Sequence, residues 1–401
     1  MLNAKRPKFV VIIPDGAADE PLDELDGRTP LEAAEIPHMD SLARRGRAGL
    51  VRTVPEAAEQ PGSDIATLSI MGYDPARYYT GRAPLEAASM GVPLDPGDVA
   101  FRCNLVTAEG DVLADYSAGE IPTDQARALI QLIDEKLGSP RARFFPGVSY
   151  RHLMVWRDGS DQVRTMPPHD IMGREIEANL PQGEGEERLR QLIWDSREIL
   201  EDHEINRRRR DEGRPPANMI WLWGQGRDPN LPSFAVAHGV TGAVIAAVDL
   251  IRGIARAAGL AAPEVPGATG NLETDFAAKG RALVQALEGH DFVLCHVEAS
   301  DEAGHHGDIE KKIWAVEQVD RHVVAPALDA LERRPDHRVL LLPDHHTPIA
   351  VRTHTRTPVP FVISGTGIAA NGAEAFCEAA AAATGHVIEE GHRLMDEFLA
   401  P

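Results

Sequence analysis

Between His296 and Asp308 the chain reads HVEASDEAGHHGD, which sets His296, His305 and His306 among Glu298, Asp301, Glu302 and Asp308 at the end of an apolar run. A solvated loop carries acids but rarely a set of imidazoles, whereas a divalent metal needs both ligand types close together. Other segments place similar groups where apolar runs stop. Asp15 follows VVIIP, Asp344 and His345 follow VLLLP, and His354 comes soon after in VRTHTRTPVPF. Gathered at one sheet edge, Asp15, Asp301, His305, Asp344, His345 and His354 could hold two divalent ions, because three or four protein ligands per ion leave positions open for a substrate. That arrangement suits phosphoryl transfer or hydrolysis.

Chemistry on a phosphate ester also needs a nucleophile. Ser63, in EQPGSDIATLSIMGYDP, follows a glycine and opens an apolar stretch that reads as a helix. Backbone amides and the helix dipole at that position favour a phosphate and the alkoxide that attacks it, and a bound metal would lower the pKa of the serine hydroxyl. Taken singly, each residue has a plainer reading. Asp15 before Gly16 is an ordinary turn, Ser63 a helix cap, Asp344 and His345 loop caps, and His354 a satisfied interior histidine. Their joint occurrence at successive strand ends favours the site.

The elements that must position these groups are visible as short apolar runs, KFVVIIPDG, NMIWLWGQG, DFVLCHVEASD and RVLLLPDHH, each ending abruptly in a polar loop. They predict strands buried on both faces, as in a parallel sheet. KKIWAVEQVDRHVVAPALDAL and GAVIAAVDLIRGIARAAG carry helical periodicity. The alternation predicts an α/β doubly wound domain with ligands beyond the carboxyl ends of its strands. From about residue 99 to 213 the pattern changes to α+β. VAFRCNLVTAEGDVLADYSAG reads as a hairpin and SYRHLMVWRDGSDQVRTM as another. The expected organisation is therefore a discontinuous domain, 1–98 with 214–401, and an inserted lobe, 99–213.

Composition narrows the function classes. The net charge of −21 repels nucleic acid and anionic membranes. The basic run Arg207–Arg210 is flanked by acids and reads as a solvated helix end. No uninterrupted apolar stretch approaches the roughly 20 residues of a membrane span. The basic opening MLNAKRPK runs apolar only briefly before Pro14 and Asp15, unlike a secretory signal. Cys103, Cys295 and Cys377 are too scattered for a zinc or disulfide framework. A cytoplasmic enzyme is the expectation.

On these motifs, together with IPDGAADEPLDELDGRTPLEAAEIPHMDSLARRG, GSDIATLSIMGYDPARYYTGRAPLEAASMG, VAFRCNLVT, GATGNLETDFAAKG, PDHHT and HTRTPVPF, the chain resembles the alkaline phosphatase superfamily. Within it, the likeness is to the cofactor-independent phosphoglycerate mutases of the archaeal-type branch, and it covers nearly the whole chain. The resemblance implies an alkaline-phosphatase-like, mostly parallel sheet with the smaller lobe closing on substrate. It further implies that Asp301, His305 and His354 bind one metal and that Asp15, Ser63, Asp344 and His345 bind the other. Ser63 would take the phosphoryl group of 3-phosphoglycerate and return it to the 2-hydroxyl of the retained glycerate, without free 2,3-bisphosphoglycerate. For holding phosphate and carboxylate and shuttling the hydroxyl proton, the candidates are Arg82, Arg102, Arg151, His152, His169, Asp170 and Lys279, with Lys312 as a further phosphate partner.

The implied cofactors are two divalent ions and no organic group. Mixed oxygen and imidazole ligands suit Mn²⁺, Zn²⁺ or Co²⁺ better than Mg²⁺. The partner is a small phosphoglycerate, with no nucleic acid or membrane, and homo-oligomerisation is left open. A phosphatase, phosphonate hydrolase or other phosphotransferase using the same metals and serine is the alternative, and a metal-stabilised scaffold is a third. Because the histidines must be neutral to bind, metal affinity should fall as pH drops through about 6 to 6.5.

Overall fold

The computed structural model describes residues 7–58 and 61–400; the first six residues of the basic opening lie outside this range. The chain divides into two compact units. One runs up to Tyr79 and resumes at Leu231, and the other is Thr80–Asn230.

The first unit is built on a mixed sheet of seven strands. In spatial order they are Gly242–Ile245, Phe292–Val297, Lys8–Pro14, His337–Leu341, Val359–Gly365, Arg47–Val51 and Val387–Ile388. The first four are mutually parallel. Val359–Gly365 runs against both its neighbours, and Val387–Ile388 is again parallel to Arg47–Val51. A strand covered on both faces needs apolar residues throughout, and Phe9 to Ile13 are all buried. Helices such as Phe276–Gly289 and Ile309–Val319 pack on the sheet, and the apolar residues Leu283, Leu287, Val316 and Val319 meet Val10, Ile12, Val293 and Cys295 in one core. Parallel strands align their carboxyl ends, so the loops after Pro14, Val297 and Leu341 leave the sheet at the same edge.

The second unit has an antiparallel sheet, Val112–Asp115, Val99–Glu109, Arg151–Trp156 and Ala142–Val148 in order, with Met219–Gly226 also paired to Val99–Glu109. Helices Thr123–Leu137 and Glu186–Leu200 cover it through Leu129, Ile133, Leu189 and Ile193.

Several expectations change. NMIWLWGQG is a strand, but it belongs to the antiparallel sheet of the second unit. A strand buried on both faces reads the same whatever the direction of its neighbours. The lobe accordingly spans Thr80–Asn230 rather than 99–213, since helix Arg82–Met90 and strand Met219–Gly226 both pack on Val99–Glu109. GAVIAAVDLIRGIARAAG is not one helix: Gly242–Ile245 is a strand and the helix is Asp249–Ala257. The second hairpin is also displaced. Arg151–Trp156 turns back on Ala142–Val148, with Ser149 at φ 51° in the turn, while Val163–Arg164 pairs with Gln182–Gly183. In the arginine run, Arg209 is buried, donating to Pro215 O and Ala118 O, while its neighbours face solvent beside acids. No helix among the described residues is long and apolar enough to cross a membrane.

Candidate active site

Ser63 is the first residue of helix Ser63–Ile70, and every later residue of that helix is buried. The apolar helix is thereby fixed in the core, and its N-terminal amides are held beside the serine. Ser63 Oγ lies 3.1 Å from His345 Nε2. The same nitrogen stands 3.4 Å from Asp15 Oδ1 and 3.5 Å from Asp344 Oδ2. Asp15 Oδ1 is buried without a hydrogen-bond donor. Gly16 permits this crowding: at φ +60° it lies so close to Asp301 and Thr347 that an added Cβ would fall 2.5 Å from Asp301 Oδ1. Its amide donates to Asp344 Oδ1 at 3.1 Å.

A second group adjoins the first. His305 Nε2 is 3.2 Å from Asp301 Oδ2, His354 Nε2 is 3.3 Å from Asp301 Oδ1, and the two imidazole nitrogens are 3.0 Å apart. The second nitrogen of each ring decides what faces inward. His305 Nδ1 donates to Arg352 O at 3.0 Å and His354 Nδ1 to Pro61 O at 3.3 Å. His345 Nδ1 donates to Thr347 Oγ1 at 3.2 Å, while that hydroxyl donates onward to Asp301 Oδ1. With each Nδ1 carrying a proton, the neutral rings present Nε2 lone pairs to one another and to carboxylates. Only a cation, either a proton or a metal ion, makes such an arrangement favourable.

The charges agree. Burial pushes the Asp15 carboxyl well above the usual carboxylate range, and the negative charges of Asp344 and Asp301 push it further. Burial acts the same way on Asp301, but His305 and His354, which donate to it once protonated at Nε2, hold it well below that range. Burial lowers His345, whereas hydrogen bonding to Asp301 raises His305. Three sets of side chains lie close enough together to hold an ion: Asp301, His305 and His354; Asp15, Asp301 and His345; and Asp15, His296 and Asp344. Ser63 adjoins the second through His345. Access differs between them. The side chain of His305 is 38% exposed, whereas those of Asp344 and His345 are 0% exposed.

His296, near the end of its strand, is fully buried and also faces these acids, 3.4 Å from Asp344 Oδ2 and 3.7 Å from Asp15 Oδ2. Burial would lower its pKa, yet Asp344 and Glu298 raise it to about 9. Within the opening stretch, Asp308 caps the next helix, Glu302 accepts from Leu272 N, and Glu298 pairs with Lys279. Thr347 was missed, although its position two residues after His345 was a usable signal.

Lys279 does not reach a substrate: it is 0% exposed and bonded to Glu298 and His296 O. Lys312 is likewise buried on Asp19, Ala18 O and Thr347 O. Both sit on the core faces of their helices, where an ammonium must find partners inside the protein. His152 is also corrected. It is 1% exposed, accepts from Gly147 N, and is driven to a pKa of about 3 by burial and by Arg127 and Arg151.

Within the second unit, Arg102 forms a two-pronged ion pair with Glu86 at 3.0 and 3.1 Å, and its guanidinium lies 4.1 Å from the Trp223 ring centroid. His169 packs edge-on to Trp223 and Tyr116, Tyr116 meets Tyr150, and Arg151 lies over Tyr150. Burial, together with the charges of Arg102 and Arg82, lowers the pKa of His169 despite Asp170 3.7 Å away. Arg82 opens helix Arg82–Met90. Sequence reading missed Trp223, Tyr116 and Tyr150, the aromatic surfaces that hold the predicted arginines and histidine.

A sequence model of the 2,3-bisphosphoglycerate-independent phosphoglycerate mutases matches residues 43–206. A probable 2,3-bisphosphoglycerate-independent phosphoglycerate mutase from Geobacter sulfurreducens is 51% identical, with 98% of this chain and 99% of the relative covered. The mutase of Methanothrix thermoacetophila is 50% identical over 98% of this chain and all of its own length (100%). Among solved structures, the PH0037 protein from Pyrococcus horikoshii superposes with a TM-score of 0.83 at 30% identity, covering 98% of this chain and 97% of that one. The cofactor-independent phosphoglycerate mutase from Thermoplasma acidophilum gives 0.68 at 27%, covering 98% and 99%.

Proposed function

The chain belongs to the 2,3-bisphosphoglycerate-independent phosphoglycerate mutase family, and from that premise we propose that Ser63 carries the phosphoryl group between the 3- and 2-hydroxyls of glycerate. Family membership carries the activity, interconversion of 3- and 2-phosphoglycerate without 2,3-bisphosphoglycerate. The observation that supports the site is the convergence of Ser63 Oγ, Asp15 and Asp344 on His345 Nε2 within 3.5 Å, beside the Asp301, His305 and His354 group.

In this reading Asp301, His305 and His354 hold one divalent ion, and Asp15, Asp344, His345 and Ser63 hold the other. When bound, the ions would neutralise phosphoryl oxygens and lower the pKa of the serine hydroxyl. Mn²⁺ fits the mixed ligands. Ser63 Oγ forms a bond to phosphorus as the bond from phosphorus to O3 breaks, and O3 takes a proton. The amides opening helix Ser63–Ile70 orient the phosphoryl oxygens on the serine. The glycerate turns, its O2 loses a proton and bonds to phosphorus, and Ser63 Oγ leaves.

Arg102 and Arg151 suit the substrate carboxylate, since a guanidinium pairs with it in two-pronged fashion. His169, with its pKa held below the ordinary 6.5, is neutral near pH 7 and can accept and return the hydroxyl proton. Holding glycerate away from water separates transfer to O2 from hydrolysis.

The test is phosphorus NMR of the Mn²⁺-loaded protein with 3-phosphoglycerate and no added bisphosphoglycerate. The expected result is 2-phosphoglycerate with little free phosphate. Free phosphate outpacing the isomer would make the protein a phosphatase. Folded, metal-loaded protein that leaves 3-phosphoglycerate unchanged would overturn the assignment.

A further inference from the structure

The mechanism so far leaves Lys279 and Glu298 without a task, although they form a fully buried ion pair in the first unit. Such a pair is costly to bury, and replacing one with apolar residues of similar volume is often neutral or stabilising. Stability alone is therefore a poor reason for it, and its connections suggest another.

Lys279, on helix Phe276–Gly289, donates to Glu298 and to His296 O at 3.1 Å. Glu298 is fixed from its other side: its Oε1 accepts from Ala247 N at 3.1 Å and Val248 N at 3.3 Å. The same oxygen lies 3.5 Å from His296 Nδ1, and His296 Nε2 faces Asp344 Oδ2 and Asp15 Oδ2. The ring thus sits between Glu298 on one side and Asp344 and Asp15 on the other. Asp344 Oδ1 is meanwhile occupied by Gly16 N and His345 N, at 3.1 and 3.0 Å. One oxygen of Asp344 is thus held by backbone amides and the other faces His296, so the carboxylate beside His345 has a contact at each oxygen. The side chains of Lys279 and Glu298 make no hydrogen bond or ion pair to the side chains of Asp301, His305 or His354 among the described residues; the one link is along the backbone, where Asp301 N donates to Glu298 O at 3.1 Å.

We infer that Lys279, Glu298 and His296 form a positioning chain for one of the two ion sites, orienting Asp344 and Asp15 on the serine side and leaving the Asp301, His305 and His354 side alone. This rests on the reading that the cluster binds two divalent ions. The chain touches neither substrate nor reacting atoms, and it acts through the placement of Asp344 and Asp15. Weakening it should therefore cost affinity for one ion rather than substrate binding.

The test is calorimetric titration of metal-free protein with Mn²⁺, comparing wild type, Lys279→Met and Glu298→Gln, with His305→Ala used to identify which binding step belongs to the serine side. Glu298→Gln keeps the shape and the acceptor for Ala247 and Val248, so it remains informative where Lys279→Met does not fold. The expected result is a serine-side ion bound about 10- to 100-fold more weakly, the range for groups that orient metal ligands, with the other ion changed less than about twofold. Turnover at limiting Mn²⁺ should fall with it and recover in excess Mn²⁺, with KM for 3-phosphoglycerate unchanged. Unaltered binding of both ions, equal weakening of both, or loss of folding in both variants would overturn the inference. Wild-type protein that takes up fewer than two Mn²⁺ would instead overturn the two-ion reading on which it rests.

Discussion

In the unit that carries Ser63, the polar groups of the site are short side chains at strand ends whose Nδ1 protons are already committed. His305, His354 and His345 each donate from Nδ1, to Arg352 O, Pro61 O and Thr347 Oγ1 respectively. In the Thr80–Asn230 unit, Arg102, Arg151 and His169 lean on aromatic rings, and Arg102 is also held by the carboxylate of Glu86. The first arrangement preorganises a site for charge that must not move. In the proposed reading the second supplies the charge that meets the substrate carboxylate. The difference predicts that damage to the first unit appears in turnover and metal binding, and damage to the second in KM.

The strongest way to break that division is Ser63→Ala. Turnover should fall about a thousandfold or more, as for loss of a nucleophile, with Mn²⁺ binding to the Asp301 group retained. Phosphorus NMR with a calorimetric titration reads both, and a variant that loses only a few-fold in kcat would remove the serine from the mechanism.

Next in size is His305→Ala. Changes to groups that only orient ligands cost about 10- to 100-fold in metal affinity, so losing a ligand should cost at least about a hundredfold for one ion. Titration with Mn²⁺ decides it, and unchanged affinity would make His305 a bystander.

Arg102→Ala probes the other unit. A charge-assisted hydrogen bond contributes about 1.5 to 3 kcal/mol, so KM should rise about 10- to 100-fold with kcat within a few-fold. A large fall in kcat with KM unchanged would place Arg102 in the chemistry and dissolve the distinction.

Acidification should separate the two ions. Asp301 raises the pKa of His305 above its ordinary 6.5 in the metal-free protein, whereas burial lowers that of His345. Binding displaces a proton from His305 Nε2, so affinity is full above that raised pKa and falls about tenfold per pH unit below it. The Asp301, His305 and His354 ion should leave first, beginning above pH 6.5, earlier than the 6 to 6.5 expected from sequence. Mn²⁺ titrations from pH 8 to 5 check the order, and simultaneous loss of both ions would contradict it.

What the sequence made legible follows the same division. Asp15, Asp301, Asp344 and His345 each end or follow an apolar strand, and parallel strands bring their ends together whatever else the chain does. Period and position therefore sufficed to group them. The second unit gave no such geometry. Arg102 and Met219–Gly226 come together through antiparallel pairing across more than a hundred residues, and nothing local in FRCN names Trp223 or Glu86 as neighbours. Lys279 and Lys312 stand out in the sequence because lysine is scarce beside arginine, which suggests a phosphate partner, and only the packing shows an internal carboxylate opposite each. GAVIAAVDL was taken for helix because its apolar spacing fits both periods.

The smallest expected effect is the sharpest test of how the second unit holds its arginine. Trp223 does two things at once: its ring lies under the Arg102 guanidinium, and its Nε1 donates to Asn104 Oδ1 at 3.0 Å. Trp223→Phe keeps an aromatic face, though a smaller one, and removes the donor. A cation held against an aromatic ring at a partly exposed site contributes about 0.5 to 1 kcal/mol. Loss of all of that would raise KM for 3-phosphoglycerate about two- to fivefold, so Trp223→Phe, which retains part, should raise it less than that with kcat preserved. Trp223→Leu removes the face entirely and should lie further along the same axis, short of Arg102→Ala. If Phe and Leu are equally harmful, the donor to Asn104 is what matters, and the ring's role in orienting Arg102 falls. If both leave KM unchanged, Glu86 alone fixes the guanidinium, and the second unit is as rigidly built as the first.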